Sequence, residues 1–85
     1  MAEDQVGIIV NFYAKPSVAA LKVTHGMIKK GDLLRYKGHT TDFTEVVASI
    51  EIENQPVEKA QAGEVVGVKV KMRVREKDKV YKIVE

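Results

Sequence analysis

Strict alternation of apolar and polar residues is the feature that most narrows what this chain can become. Past Gly67, Val68, Val70, Met72 and Val74 are set against Lys69, Lys71, Arg73 and Arg75. Successive side chains of a strand point to opposite faces, so a period of two fits a half-buried strand rather than a helix. The same period recurs upstream. Val6, Ile8, Val10 and Phe12 share one face of a first strand. Val46, Ala48, Ile50 and Ile52 share one face of FTEVVASIEIEN, with Glu45, Ser49, Glu51 and Glu53 on the other. Ile9, Val47 and Val84 interrupt otherwise polar faces, which makes them candidates for an exposed apolar patch.

Turn signals divide these runs. Lys15-Pro16-Ser17 ends the first strand, because proline has no N–H to give a ladder. SVAALKVT reads as the second. In HGMIKKGD, Gly26 and Gly31 bracket Met27 and Ile28, predicting a turn, a short buried crossing and another turn. LLRYKG, the long VGVKVKM strand and YKIV complete the set, and Val57 to Ala62 has room for one helical turn. The expected core is Ile8, Val10, Val18, Ala20, Leu33, Val46, Ile50, Ile52, Val66, Val68 and Val70. Many short strands at close spacing imply a sandwich or a small barrel. With 85 residues, a closed antiparallel barrel is favoured because closure leaves no unpaired edge. The expectation is an all-β chain forming one domain over residues 1–85, with residues 1–5 as a disordered tail.

LKVTHGMIKKGDLLRYKG followed by VASIEIENQPVEKAQAGEVVGVKV resembles the second domain of translation GTPases of the elongation factor Tu type. The matching residues are the Gly26, Ile28, Gly31, Asp32 turn and the Ala60, Ala62, Gly63, Glu64 turn, in order and with the right strands between them. The resemblance covers about residues 17–85 and extends to small free-standing elongation-factor-like proteins that consist of this barrel alone. It implies a six-stranded closed Greek-key barrel and a setting in translation or other RNA work. The chain lacks a Gly-x-x-x-x-Gly-Lys-Ser/Thr motif, so it offers no phosphate cradle for GTP hydrolysis.

The chemical inventory points away from catalysis. Cysteine is absent, which removes disulfides and thiolate nucleophiles. His25 and His39 sit beside turn glycines, and His39 with Asp42 supplies too few ligands for a metal. Ser17 and Ser49 have no patterned base and acid. The expectation is therefore a non-enzymatic barrel with no metal and no cofactor. The start of the chain lacks a signal-peptide pattern and no apolar run is long enough to cross a bilayer, so a cytoplasmic setting is expected.

Net charge is +2, yet residues 66–82 hold seven Lys or Arg against Glu76 and Asp78. Same-face neighbours on a strand lie about 6.6 Å apart, a spacing that suits a polyanion. Arg35, Lys37, Lys69, Lys71, Arg73 and Arg75 are thus candidate contacts to RNA, whether tRNA or ribosome. The opposing reading pairs these cations with Glu45, Glu51 and Glu53 across neighbouring strands. The alternative function is a module that docks to a larger translation or RNA-modifying enzyme. Neither reading involves a membrane or a nucleotide.

Overall fold

The computed structural model describes residues 2–84, and among them every regular element is a strand. In chain order these are β1 (Ala2–Tyr13), β2 (Val18–Val23), β3 (Met27–Lys29), β4 (Leu33–Lys37), β5 (Asp42–Val46), β6 (Ile50–Ile52), β7 (Gln55–Val57), β8 (Lys59–Gln61), β9 (Val65–Lys69) and β10 (Lys79–Val84). Eight of them form one antiparallel sheet in the order β5-β4-β10-β1-β2-β9-β6-β7, and β3 pairs with β8 as a separate ribbon. Of the tail expected over residues 1–5, residue 1 lies outside the described residues, and residues 2–5 are part of β1 and pair with β10 from Ala2↔Val84 to Gln5↔Tyr81. The helical turn expected between Val57 and Ala62 is replaced by β7, β8 and the bend joining them.

The sheet curls around one core. Leu34 and Tyr36 of β4 and Ile50 of β6 belong to one buried cluster, although four strands separate them in the sheet. In a flat sheet those strands would stand about 24 Å apart, with their faces open to water. Curling and the β3–β8 ribbon together bury Ile9, Leu21, Ile28, Leu34 and Val80 to 1% exposure or less.

A closed six-stranded barrel does not form. No ladder joins β5 to β7 among the described residues. The turn after β3 caps both edges instead. Val47 N–H donates to the Asp32 carbonyl at 2.8 Å, Gly31 N–H donates to the Val47 carbonyl at 2.9 Å, and Lys30 N–H donates to the Glu58 carbonyl at 3.0 Å. Those bonds occupy backbone groups just beyond β5 and β7 that a closing ladder would have used.

Side-chain parity departs from expectation on several strands. Ile50, Val66, Val68 and Val70 are buried as expected. On β2 the inward residues are Ala19, Leu21 and Val23 rather than Val18 and Ala20; on β4 they are Leu34 and Tyr36 rather than Leu33. Val10 is 41% exposed and Val46 55%, while Ile9 and Val47 are core. On β1 the cause is two register shifts, between Gln5 and Gly7 and between Ile9 and Asn11, each of which changes which residues face inward. Gly7 permits the close approach of β2, since a Cβ there would stand 2.5 Å from the Lys22 carbonyl oxygen.

The same four-residue turn occurs three times. In Lys29–Asp32, Gln61–Glu64 and Arg75–Asp78 the fourth N–H donates to the first carbonyl at 3.1 Å. In each, the fourth residue's carboxylate also accepts the first residue's N–H, at 2.9, 2.7 and 2.8 Å. The third position has positive φ in all three: Gly31 at 95°, Gly63 at 98° and Lys77 at 73°. That angle defines a type II turn and favours glycine. Two of the three turns carry it.

Candidate functional site

The outer face of β2, β9 and β6 carries a trough made by small residues in register. Ala20 lies opposite Gly67, and Gly67 lies opposite Glu51. One row away, Tyr13 and Lys69 flank Val18; on the other side Lys22 lies opposite Val65. A row of alanine and glycine between rows of larger side chains leaves a groove. Its volume is about 420 Å³, with Tyr13, Val18, Ala20 and Val65 along it and Glu51 and Glu53 at its rim. Tyr13 is 50% exposed and Val65 51%. The sequence signal was the Val65-Val66 doublet: on a strand, one of two adjacent valines must face away from the core. The patch expected from Ile9, Val47 and Val84 is not formed, because Ile9 and Val47 are buried.

The candidate cations do not form one row. β9 ends at Lys69, because its partner strand β2 begins at Val18, the residue opposite. Beyond that point Ser17 holds the chain: its carbonyl accepts Val70 N–H at 2.9 Å, and its hydroxyl donates to the Val70 carbonyl at 2.6 Å. Lys71, Arg73 and Arg75 therefore lie on irregular backbone. The Lys71 N–H donates to Glu45 at 2.9 Å, Arg73 stands 5.9 Å over the Phe12 ring, and Arg75 Nε donates to the Thr40 hydroxyl at 3.0 Å. The cross-strand match with the glutamates is also absent. Glu51 faces Gly67, and Glu53 sits in a turn.

Arg35 and Lys37 belong to β4, where Arg35 makes two ion pairs. Its Nε and one terminal nitrogen each donate to a different oxygen of Asp42 on β5 at 2.9 Å, and its other terminal nitrogen donates to Glu3 on β1 at 2.9 Å. The Asp42 bonds, then Glu3, raise the Arg35 pKa, and Arg35 holds the Asp42 carboxyl below the usual carboxylate range. The cluster ties β1, β4 and β5 together. Lys37 remains exposed beside it. Among the described residues no helix is long and apolar enough to cross a membrane.

Comparison with known proteins finds relatives in sequence and in fold. No family model matches the sequence. The chain is 45% identical over 82 residues to an uncharacterized protease of Methanocaldococcus jannaschii, and 33% identical over 78 residues to a collagenase of Porphyromonas gingivalis. These matches take in 95% and 91% of the chain but 20% and 22% of the relatives, so the chain spans about a fifth of their length. Among solved structures, the C-terminal domain of a Geobacillus thermoleovorans protein described as a U32 peptidase superposes with a TM-score of 0.87 at 19% identity. That match covers 95% of this chain and 93% of that one. The translation factor aIF5B of Aeropyrum pernix follows at 0.68 and 19%, covering 98% of this chain and 14% of that one.

The likeness to a translation-factor barrel thus holds at the level of fold. The sequence relatives are named as a protease and collagenases, which overturns the expectation of a non-enzymatic barrel as a guide to this chain's setting, although the match takes in only about a fifth of each relative.

Proposed function

We propose that this chain is an accessory β-module of a peptidase of the kind its relatives are named for, docking through the Ala20–Gly67 trough onto the larger peptidase body. The observation that carries this reading is an apolar trough on a chain whose length matches a fifth of a protease. A half-exposed valine on a sheet face gains about 1 kcal/mol when covered, and the row made by Ala20 and Gly67 leaves room for an inserted side chain. The acidic rim of Glu51 and Glu53 favours a segment bearing a cation beside its apolar anchor. The RNA reading of the basic segment draws no comparable support, since its cations lie on separate backbone elements.

The test is binding of the 85-residue chain to the M. jannaschii protease from which the matching 82 residues have been removed, followed by isothermal calorimetry. Saturable one-to-one binding is expected. It should weaken at least tenfold when Tyr13→Ser and Val65→Lys are combined, with the melting temperature of the variant unchanged. Absence of binding, or binding indifferent to the double change, would remove the trough as the docking face.

A further inference from the structure

A second surface, on β4 and β10, gathers lysines that make no ion pair among the described residues. Lys79 is the cross-strand partner of Lys37, and like charges directly opposite each other repel. Lys37, His39, Lys77, Lys79 and Tyr81 line one cleft of about 360 Å³. None of its three lysines has an ion-pair partner among the described residues. The carboxylate in register with Lys37 is Asp42; both of its oxygens accept from Arg35, and Lys37 acts on it only through space. Asp78, between Lys77 and Lys79, is 5% exposed; its carboxylate accepts the Arg75 N–H and packs against Gly38 at the floor of the cleft.

Lys77 adds an independent observation. It occupies the positive-φ position of the third type II turn, where the two sister turns have Gly31 and Gly63. A side chain there carries a steric cost that glycine avoids. Lys77 shares its positive φ with Ser17, Glu53 and Asn54 among the non-glycine residues, and of these it is the one that carries a cation. Here it contributes one of the cleft's cations.

We infer that this cleft is an oxyanion site that takes a phosphate group, with Lys37, Lys77 and Lys79 supplying charge and His39 and Tyr81 lining the wall. Lysine ammonium groups bind phosphate as point charges and need no fixed planar geometry. The site is separate from the docking trough and stands whether or not that reading does. The phosphate could belong to a small soluble ligand or to a polynucleotide backbone, and the two sources are told apart by the probe.

The experiment titrates the amide resonances of the whole chain with pyrophosphate and, separately, with a short single-stranded oligoribonucleotide. Shifts confined to residues 37–39 and 77–81 are expected, together with a rise in melting temperature on adding the ligand. Lys77→Gly and Lys79→Gln should each weaken binding at least fivefold while melting at or above the wild-type temperature without ligand, because one removes backbone strain and the other a like-charge pair. Lys69→Gln with Lys71→Gln should leave binding unchanged. Tighter binding of the oligonucleotide through the same residues, with steep salt dependence, identifies a polynucleotide source; binding of pyrophosphate alone identifies a small ligand. Shifts spread over all lysines, retained affinity in both cleft variants, or no binding of either probe would overturn the inference.

Discussion

Tyr36 shows how far one residue's chemistry is set by its surroundings. The side chain is 1% exposed, and its ring stacks on Phe43 with centroids 5.0 Å apart. Burial, and then the nearby Glu45 carboxylate, push its phenol well above the ordinary value, which is about 10. The folded state therefore holds the neutral phenol where the unfolded chain has begun to ionise. This contribution to stability is complete below pH about 10 and is lost as pH rises beyond that. Tyr36→Phe should flatten that alkaline decline, read as the difference in urea midpoint between pH 8 and pH 11. An equal decline in both proteins would show that Tyr36 is not its source. Asp42 has the opposite sign. Arg35 lowers its pKa, so its contribution is present at neutral pH and lost as pH falls through the depressed value.

At the scale of elements, the turns carry the most information. The Gly31 and Gly63 turns were readable because glycine followed by an acid is the composition a type II turn with a side-chain brace requires. The turn joining β6 to β7 was not. Its central residues Glu53 and Asn54 both have positive φ, 51° and 65°, the signature of a type I′ hairpin. Glutamate is a poor marker of that conformation, so FTEVVASIEIEN read as strand to its end; its other break, at residues 47–49, is made by the bonds of Val47 to Gly31 and Asp32. Replacing Glu53 by Asn and Asn54 by Gly should stabilise the protein by about 1 kcal/mol, measured by urea denaturation. A loss of stability would mean that the Glu53 side chain outweighs its backbone cost. The alternation across residues 65–75 failed for a related reason. A strand extends only as far as its partner, and β2 begins opposite Lys69.

For the whole molecule, the β3–β8 ribbon is the piece on which the curled sheet depends. Ile28 is 0% exposed at the centre of a strand of three residues. Ile28→Ala should cost about 2–5 kcal/mol, a large share of the roughly 5–15 kcal/mol available to a domain. Met27→Ala, at a position 41% exposed, should cost far less. Comparable urea midpoints for the two variants would show that the ribbon does not seal the core. Much of this molecule was legible in local pattern: an all-β chain, the buried crossing at Ile28, and the inward valines of β9. These follow from period two and from turn chemistry, which act over a few residues. Parity on β1, β2 and β4 was not legible, because apolar residues lie on both sides of those strands and, on β1, two register shifts reverse the faces. Beyond the hint of the Val65-Val66 doublet, the trough and the lysine cleft were also out of reach of the sequence. Each depends on which residues the ladders set opposite one another, Ala20 with Gly67 and Lys37 with Lys79. Local sequence determined the strands and the glycine turns; only tertiary pairing decided which side chains meet, because register is set by packing around a shared core.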